Sequence, residues 1–178
     1  MEQLPGIKGI EHIGLMVPGL EEAVKFFVQV LGCEPVYDIG PFKSTGNWME
    51  TQLDVDPRAE IPKITMLKCH GGPNLELFEY KATVQSHSIP KNSDIGGHHL
   101  SFYVEDIQKG VETLKKNGLR VLGEPVHMTG GASARESWIY FLSPWDYNLN
   151  WFPFPMARLM RNTPQPGCLN PAKVRSAF

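Results

Sequence analysis

The chain predicts an α+β fold in which one strand–helix–three-strand unit is used twice. Three observations carry this. Two segments begin on a histidine, His12 and His99, and repeat apolar residues in one register. Each runs into an apolar stripe at helical spacing that stops on a glycine. Each is then followed by three short apolar segments bounded by turn residues. The shared register is Val17 and Val104, Leu20 and Ile107, Val24 and Val111, then Phe27 and Leu114. Four matches in one frame point to an internal duplication.

The elements follow in order. After each histidine about six residues alternate or run apolar, a strand signal. Pro18-Gly19 and Glu105-Asp106 then turn the chain. In the first copy Leu20, Ala23, Val24, Phe27, Val28 and Leu31 form one helical face, and Gly32 ends it. In the second, Asp106 caps the start, Ile107, Val111 and Leu114 form the stripe, and Asn117-Gly118 closes it. Strands are predicted over 34–39, 63–69 and 74–80, and over 119–125, 137–142 and 147–152. A polar, turn-rich insertion at about 39–60 lengthens the first copy. The first module is expected over 7–82 and the second over 94–155. The segment 156–178, rich in proline and basic residues, reads as an irregular tail that drapes over the body or contacts a second subunit.

Composition narrows the function. The 178 residues are 42% hydrophobic and 20% charged, as globular chains are, with a formal net charge of −2. That balance argues against nucleic acid as the main partner. No apolar run reaches about 20 residues, so no membrane span is expected. The N-terminal stretch lacks the pattern of a secretory signal. Cys33, Cys69 and Cys168 are odd in number and widely spaced, with no CxxC. This suits a cytoplasmic protein with reduced thiols.

Four polar positions stand out. His12 and His99 open the first strand of each copy, Glu76 lies in "NLELFEY", and Asn150 lies in "YNLNWF". If the copies pack with pseudo-two-fold symmetry, these can converge in a curved sheet. Two imidazoles and a carboxylate suit a divalent transition metal. Asn150 adds at most a neutral oxygen ligand or holds a bound water, since an amide cannot serve as a base. Its bland alternative is a hydrogen bond to a neighbouring strand. Each histidine alone reads as a satisfied strand-end residue, and the repetition together with Glu76 favours the metal set.

Alternation along strands puts Phe78 on the face of Glu76, and Tyr103 on that of His99. Asn148 shares the face of Asn150. By the same rule His98 and Glu79 point away. Trp48, Phe78, Tyr103, Arg135, Asn148 and Phe152 are candidate substrate-binding residues. Trp138 and Tyr140 read first as core aromatics. Glu50 is a spare base in the insertion, or a solvated acid. "GGASARES" at 130–137 suits a lid or an anion contact, with Arg135 as its cation, or a plain hairpin.

"IEHIGLMVPGLEEAVKFFVQVLG", "NLELFEY", "GGHHLSFYVEDI" and "WIYFLSPWDYNLNWF" together resemble the glyoxalase/bleomycin-resistance/extradiol-dioxygenase superfamily, also called vicinal oxygen chelate. The resemblance spans roughly residues 7–155. It implies two βαβββ modules forming a curved mixed-sheet cleft around a divalent ion: zinc, manganese, nickel, cobalt or iron. His12, Glu76 and His99 fall on positions similar to the family's ligands. The fourth is usually glutamate, where this chain has Asn150, with Asp146 where glycine is usual. That departure argues against ordinary glyoxalase I and extradiol chemistry. The implied activity is proton transfer on a small vicinal-oxygen substrate, as an isomerase, epimerase or lyase, with Glu76 or Glu50 as base. An iron(II) dioxygenase and a metal-free binder of aromatic or antibiotic-like molecules are the alternatives. Homodimers are common among such proteins, so a homodimer is expected.

Overall fold

A computed structural model describes residues 5–130, 134 and 136–153. The chain divides into two compact units between Ser88 and Ile89.

The first unit holds β1 (His12–Met16), α1 (Leu20–Gln29), β2 (Glu34–Ile39), α2 (Trp48–Leu53), β3 (Ile64–Lys68) and β4 (Asn74–Phe78). The second holds β5 (Leu100–Val104), α3 (Ile107–Lys116), β6 (Val121–His127), β7 (Ser137–Leu142) and β8 (Asn148–Pro153). Each unit contains one four-stranded mixed sheet. The strand orders are β1-β4-β3-β2 and β5-β8-β7-β6, so the two topologies are the same. In each, the first strand runs parallel to the last and the other pairs are antiparallel. This is the duplicated βαβββ arrangement that the sequence predicts. His99 stands one residue ahead of β5 rather than inside it.

The predicted helical stripes bury in the main, with Phe26 and Gly110 added to them and Val24 and Val28 only half-buried. Leu20, Ala23, Phe26 and Phe27 are buried on α1, and Ile107, Gly110, Val111 and Leu114 on α3. The two N-termini are capped differently. Asp106 accepts hydrogen bonds from the backbone N–H groups of Gln108 and Lys109 at 3.0 and 3.1 Å. Gly19 has no side chain to do this, and the Leu20 N–H instead donates to Oε2 of Glu79 at 2.9 Å. Glu79, just past the end of β4 and pointing away from the Glu76 face, thus reaches the start of α1. At the end of α3, Gly118 takes φ 71° and lets Leu119 N–H reach the Leu114 carbonyl at 3.0 Å.

Side chains on β4 alternate cleanly. Leu75 and Leu77 are buried, while Asn74, Glu76 and Phe78 are half-buried on the other face. In β8 the ring of Trp151 lies under Gly110 of α3, so Asn148, Asn150 and Phe152 belong to the face away from the helix.

Two expectations are corrected. The insertion at 39–60 is not merely turns: α2 forms inside it, with Met49 fully buried. Met49 packs with Ala59, Ile61 and Ile64, and Val55, Phe78, Tyr80 and Ala82 close around them. One buried residue in a six-residue helix leaves no periodicity to read. The thiols of Cys33 and Cys69 are also not free, but joined in a disulfide. Glu34 pairs with Lys68 across β2 and β3, which sets the two flanking cysteines opposite each other. Their Cα atoms are 4.5 Å apart, within bonding range. Cys168 and the tail from 156 lie outside the described residues.

Candidate active-site residues

In the first unit β1 and β4 bring His12 and Glu76 together. The parallel register sets His12 beside Asn74 and Gly14 beside Glu76. Gly14 has no side chain, so nothing stands between the carboxylate and the imidazole two residues back. His12 Nε2 lies 3.1 Å from Glu76 Oε2. His12 Nδ1 meets the carboxylate of Glu11 on its other side. The imidazole is pushed above its usual 6.5, first by the Glu11 hydrogen bond, which outweighs an opposing desolvation, and then by the charges of Glu76 and Glu11. Phe78 and Tyr80 stack with ring centres 5.9 Å apart on the same face. Burial and then the Glu76 charge raise the Tyr80 hydroxyl above its ordinary value.

The second unit repeats the register with other residues. Ser101 faces Asn150 as Gly14 faces Glu76, and Tyr103 faces Phe152 as Met16 faces Phe78. Asn150 therefore occupies the Glu76 position of the second copy. It is 1% exposed, and its Oδ1 accepts a hydrogen bond from the Ser101 hydroxyl at 2.6 Å. Tyr140 is its partner on β7. The Tyr140 hydroxyl stands 3.4 Å from His99 Nε2, and the two rings meet edge-on at 5.1 Å. Trp138 extends this aromatic row, its ring 5.6 Å from that of Tyr140. His98 packs instead against the ring of Tyr147, whose buried hydroxyl is raised to about 12.

The remaining predicted residues are spread out. Trp48 and Glu50 sit on α2, both exposed. Tyr103 is exposed, and Asn148 and Phe152 are half-buried on the face of Asn150. Arg135 lies outside the described residues. Residue-by-residue reading assigns neither the Glu11 contact nor the Ser101–Asn150 bond, and takes Tyr140 first as core, whereas its hydroxyl stands beside His99. Strand alternation alone points to Ser101, which shares the face of His99.

Among the described residues, no group of three or more His, Cys, Asp or Glu side chains stands ready to hold a metal ion. The His12–Glu76 pair nonetheless fits one. Two ligand atoms each about 2.1 Å from an ion, at a right angle, lie about 3.0 Å apart, close to the 3.1 Å seen here. Asn150 Oδ1, already bonded to a hydroxyl, is a poorer donor.

Residues 11–136 match the glyoxalase/bleomycin resistance protein/dioxygenase superfamily. The chain belongs to that superfamily. It is 41% identical over 153 residues to a 2-epi-5-epi-valiolone epimerase from Actinomyces sp., covering 85% of this chain and 82% of that one. Its fold is similar to that of a glyoxalase family protein from Bacillus cereus. That likeness has a TM-score of 0.62 at 19% identity and covers 85% of this chain and 95% of the other. It is also similar to a fosfomycin resistance protein from Listeria monocytogenes. There the TM-score is 0.54 at 14% identity, over 84% of this chain and 95% of that one.

Proposed function

We propose that this chain is an epimerase that inverts a carbon beside a carbonyl in a small polyoxygenated molecule of the 2-epi-5-epi-valiolone kind. The observation that carries the reading is the Glu76–His12 pair. It places a carboxylate within hydrogen-bond reach of an imidazole on a half-buried, aromatic-lined face. The 41% identity to an epimerase supports it.

Epimerisation removes a proton from carbon and returns one to the opposite face. Glu76 is the base: it takes the proton, and the C–H electron pair moves onto the carbonyl oxygen. His12, held by Glu11 on its far side, orients the carboxylate through Nε2. Phe78 and Tyr80 stack on the face that carries the carboxylate and give the substrate an apolar wall beside it. Glu50 is the candidate second acid, carried by the helix that Met49 pins against Phe78 and Tyr80. A divalent ion held by His12 and Glu76 would supply Lewis-acid stabilisation of charge on the substrate oxygen.

Incubation with 2-epi-5-epi-valiolone in deuterated water, with zinc, manganese, nickel, cobalt or iron(II) added in turn, tests this. Proton NMR should show the epimer, with deuterium at the inverted carbon. Glu76→Gln should lower the rate by about 10²–10⁴-fold, and Glu50→Gln should lower product formation more than washout of the starting epimer's proton. Neither epimer nor exchange with any of the ions would overturn the reading.

A further inference from the structure

The first unit holds a second feature that the proton-transfer residues do not use. Where the insertion meets the segment after β4, a groove of about 480 Å³ opens, lined by Arg58, Glu60, Tyr80, Lys81, Thr83 and His87 with Ala82 and Gln85. It is built rather than incidental. Glu60 and Lys81 exchange both backbone hydrogen bonds at 2.8 Å, which fixes their side chains as an opposed pair. Its wall is Tyr80, packed against the buried Met49 cluster.

The lining has a particular chemistry. Arg58 and Lys81 are cations, and His87 adds an imidazole that can donate a hydrogen bond. Arg58 uses its Nε on Asp56 at 3.4 Å. Among the described residues neither Lys81 nor Glu60 forms an ion pair. Two exposed cations at one mouth suit a doubly charged oxyanion, which Arg and Lys bind through charge-assisted hydrogen bonds. Glu60, Gln85, Thr83 and the Tyr80 hydroxyl supply acceptors and donors suited to neighbouring hydroxyl groups. We propose that this groove binds a small phosphorylated polyol, with Arg58 and Lys81 on the phosphate and Glu60 on its hydroxyls. Tyr80 stacks on Phe78 and feels the charge of Glu76, so the groove adjoins the Glu76 face of the same unit. The site stands on the groove alone and does not depend on the epimerase reading.

Amide-detected NMR titration of the full chain tests it, with inorganic phosphate, a hexose 6-phosphate and the unphosphorylated hexose as probes. The hexose phosphate should shift amides at 58–60 and 80–87 at lower concentration than either other probe. Arg58→Gln and Lys81→Gln should each weaken it up to about fivefold, and the pair about tenfold or more, as exposed charge pairs do. Glu60→Gln should tighten inorganic phosphate while weakening the preference for the hexose phosphate over it, a reversal that general damage to the fold would not give. Lys109→Gln, on α3, is the control and should change nothing. Hexose binding as tight as its phosphate, shifts confined to other residues, or insensitivity to Arg58→Gln and Lys81→Gln would each overturn the proposal.

Discussion

Glu76 and Asn150 hold equivalent places in the two sheets, and one neighbouring residue sets what each can do. Beside Glu76 stands Gly14, so the carboxylate reaches His12. Beside Asn150 stands Ser101, whose hydroxyl occupies the amide oxygen. Ser101→Ala should leave that buried oxygen without this donor and cost about 1–3 kcal/mol, read from urea unfolding. The His12 imidazole gives a second test. Folding raises its pKa, so its contribution to stability is complete below the unfolded value of 6.5 and fades as pH rises through the folded one. An NMR titration of the metal-free protein should place His12 above 6.5, and Glu11→Gln should lower it more than Glu76→Gln.

Helices show how far local sequence can be trusted. Asp106 and Gly118 mark α3 in the sequence, because cap and stop chemistry lie within a turn of the helix itself. The start of α1 depends on Glu79, 59 residues away, and no local signal announces it. Gly110 is a further case. Alanine normally stabilises a helix interior by about 1 kcal/mol over glycine. Here an added Cβ would lie 2.3 Å from the Trp151 ring. Gly110→Ala should therefore destabilise, by about 1–3 kcal/mol as overpacking does, and calorimetry would show a lower Tm where propensity alone expects a higher one.

At the scale of the molecule, the duplication appears as two sheets of identical strand order, and the disulfide as a difference between them. Cys33–Cys69 closes a loop of 36 residues in the first unit. Chain-entropy reasoning gives about 3–4 kcal/mol for such a loop. Cys33→Ser with Cys69→Ser should lower Tm to match the reduced wild type, and added reductant should then leave the double variant unchanged. No helix among the described residues is long and apolar enough to cross a membrane.

The sequence by itself determined the repeated strand–helix–three-strand order, because hydrophobic period and cap residues act within a few positions. Its strand bounds for 34–39 and 137–142 coincide with β2 and β7. Tertiary structure decided the partners. Ser101 meets Asn150, Glu79 meets Leu20, Cys33 meets Cys69, and Met49 buries against Phe78 and Tyr80. Each joins residues brought together by sheet register or by packing. A one-position slip in register sends every side chain to the other face, so these contacts are settled only when the strands pair.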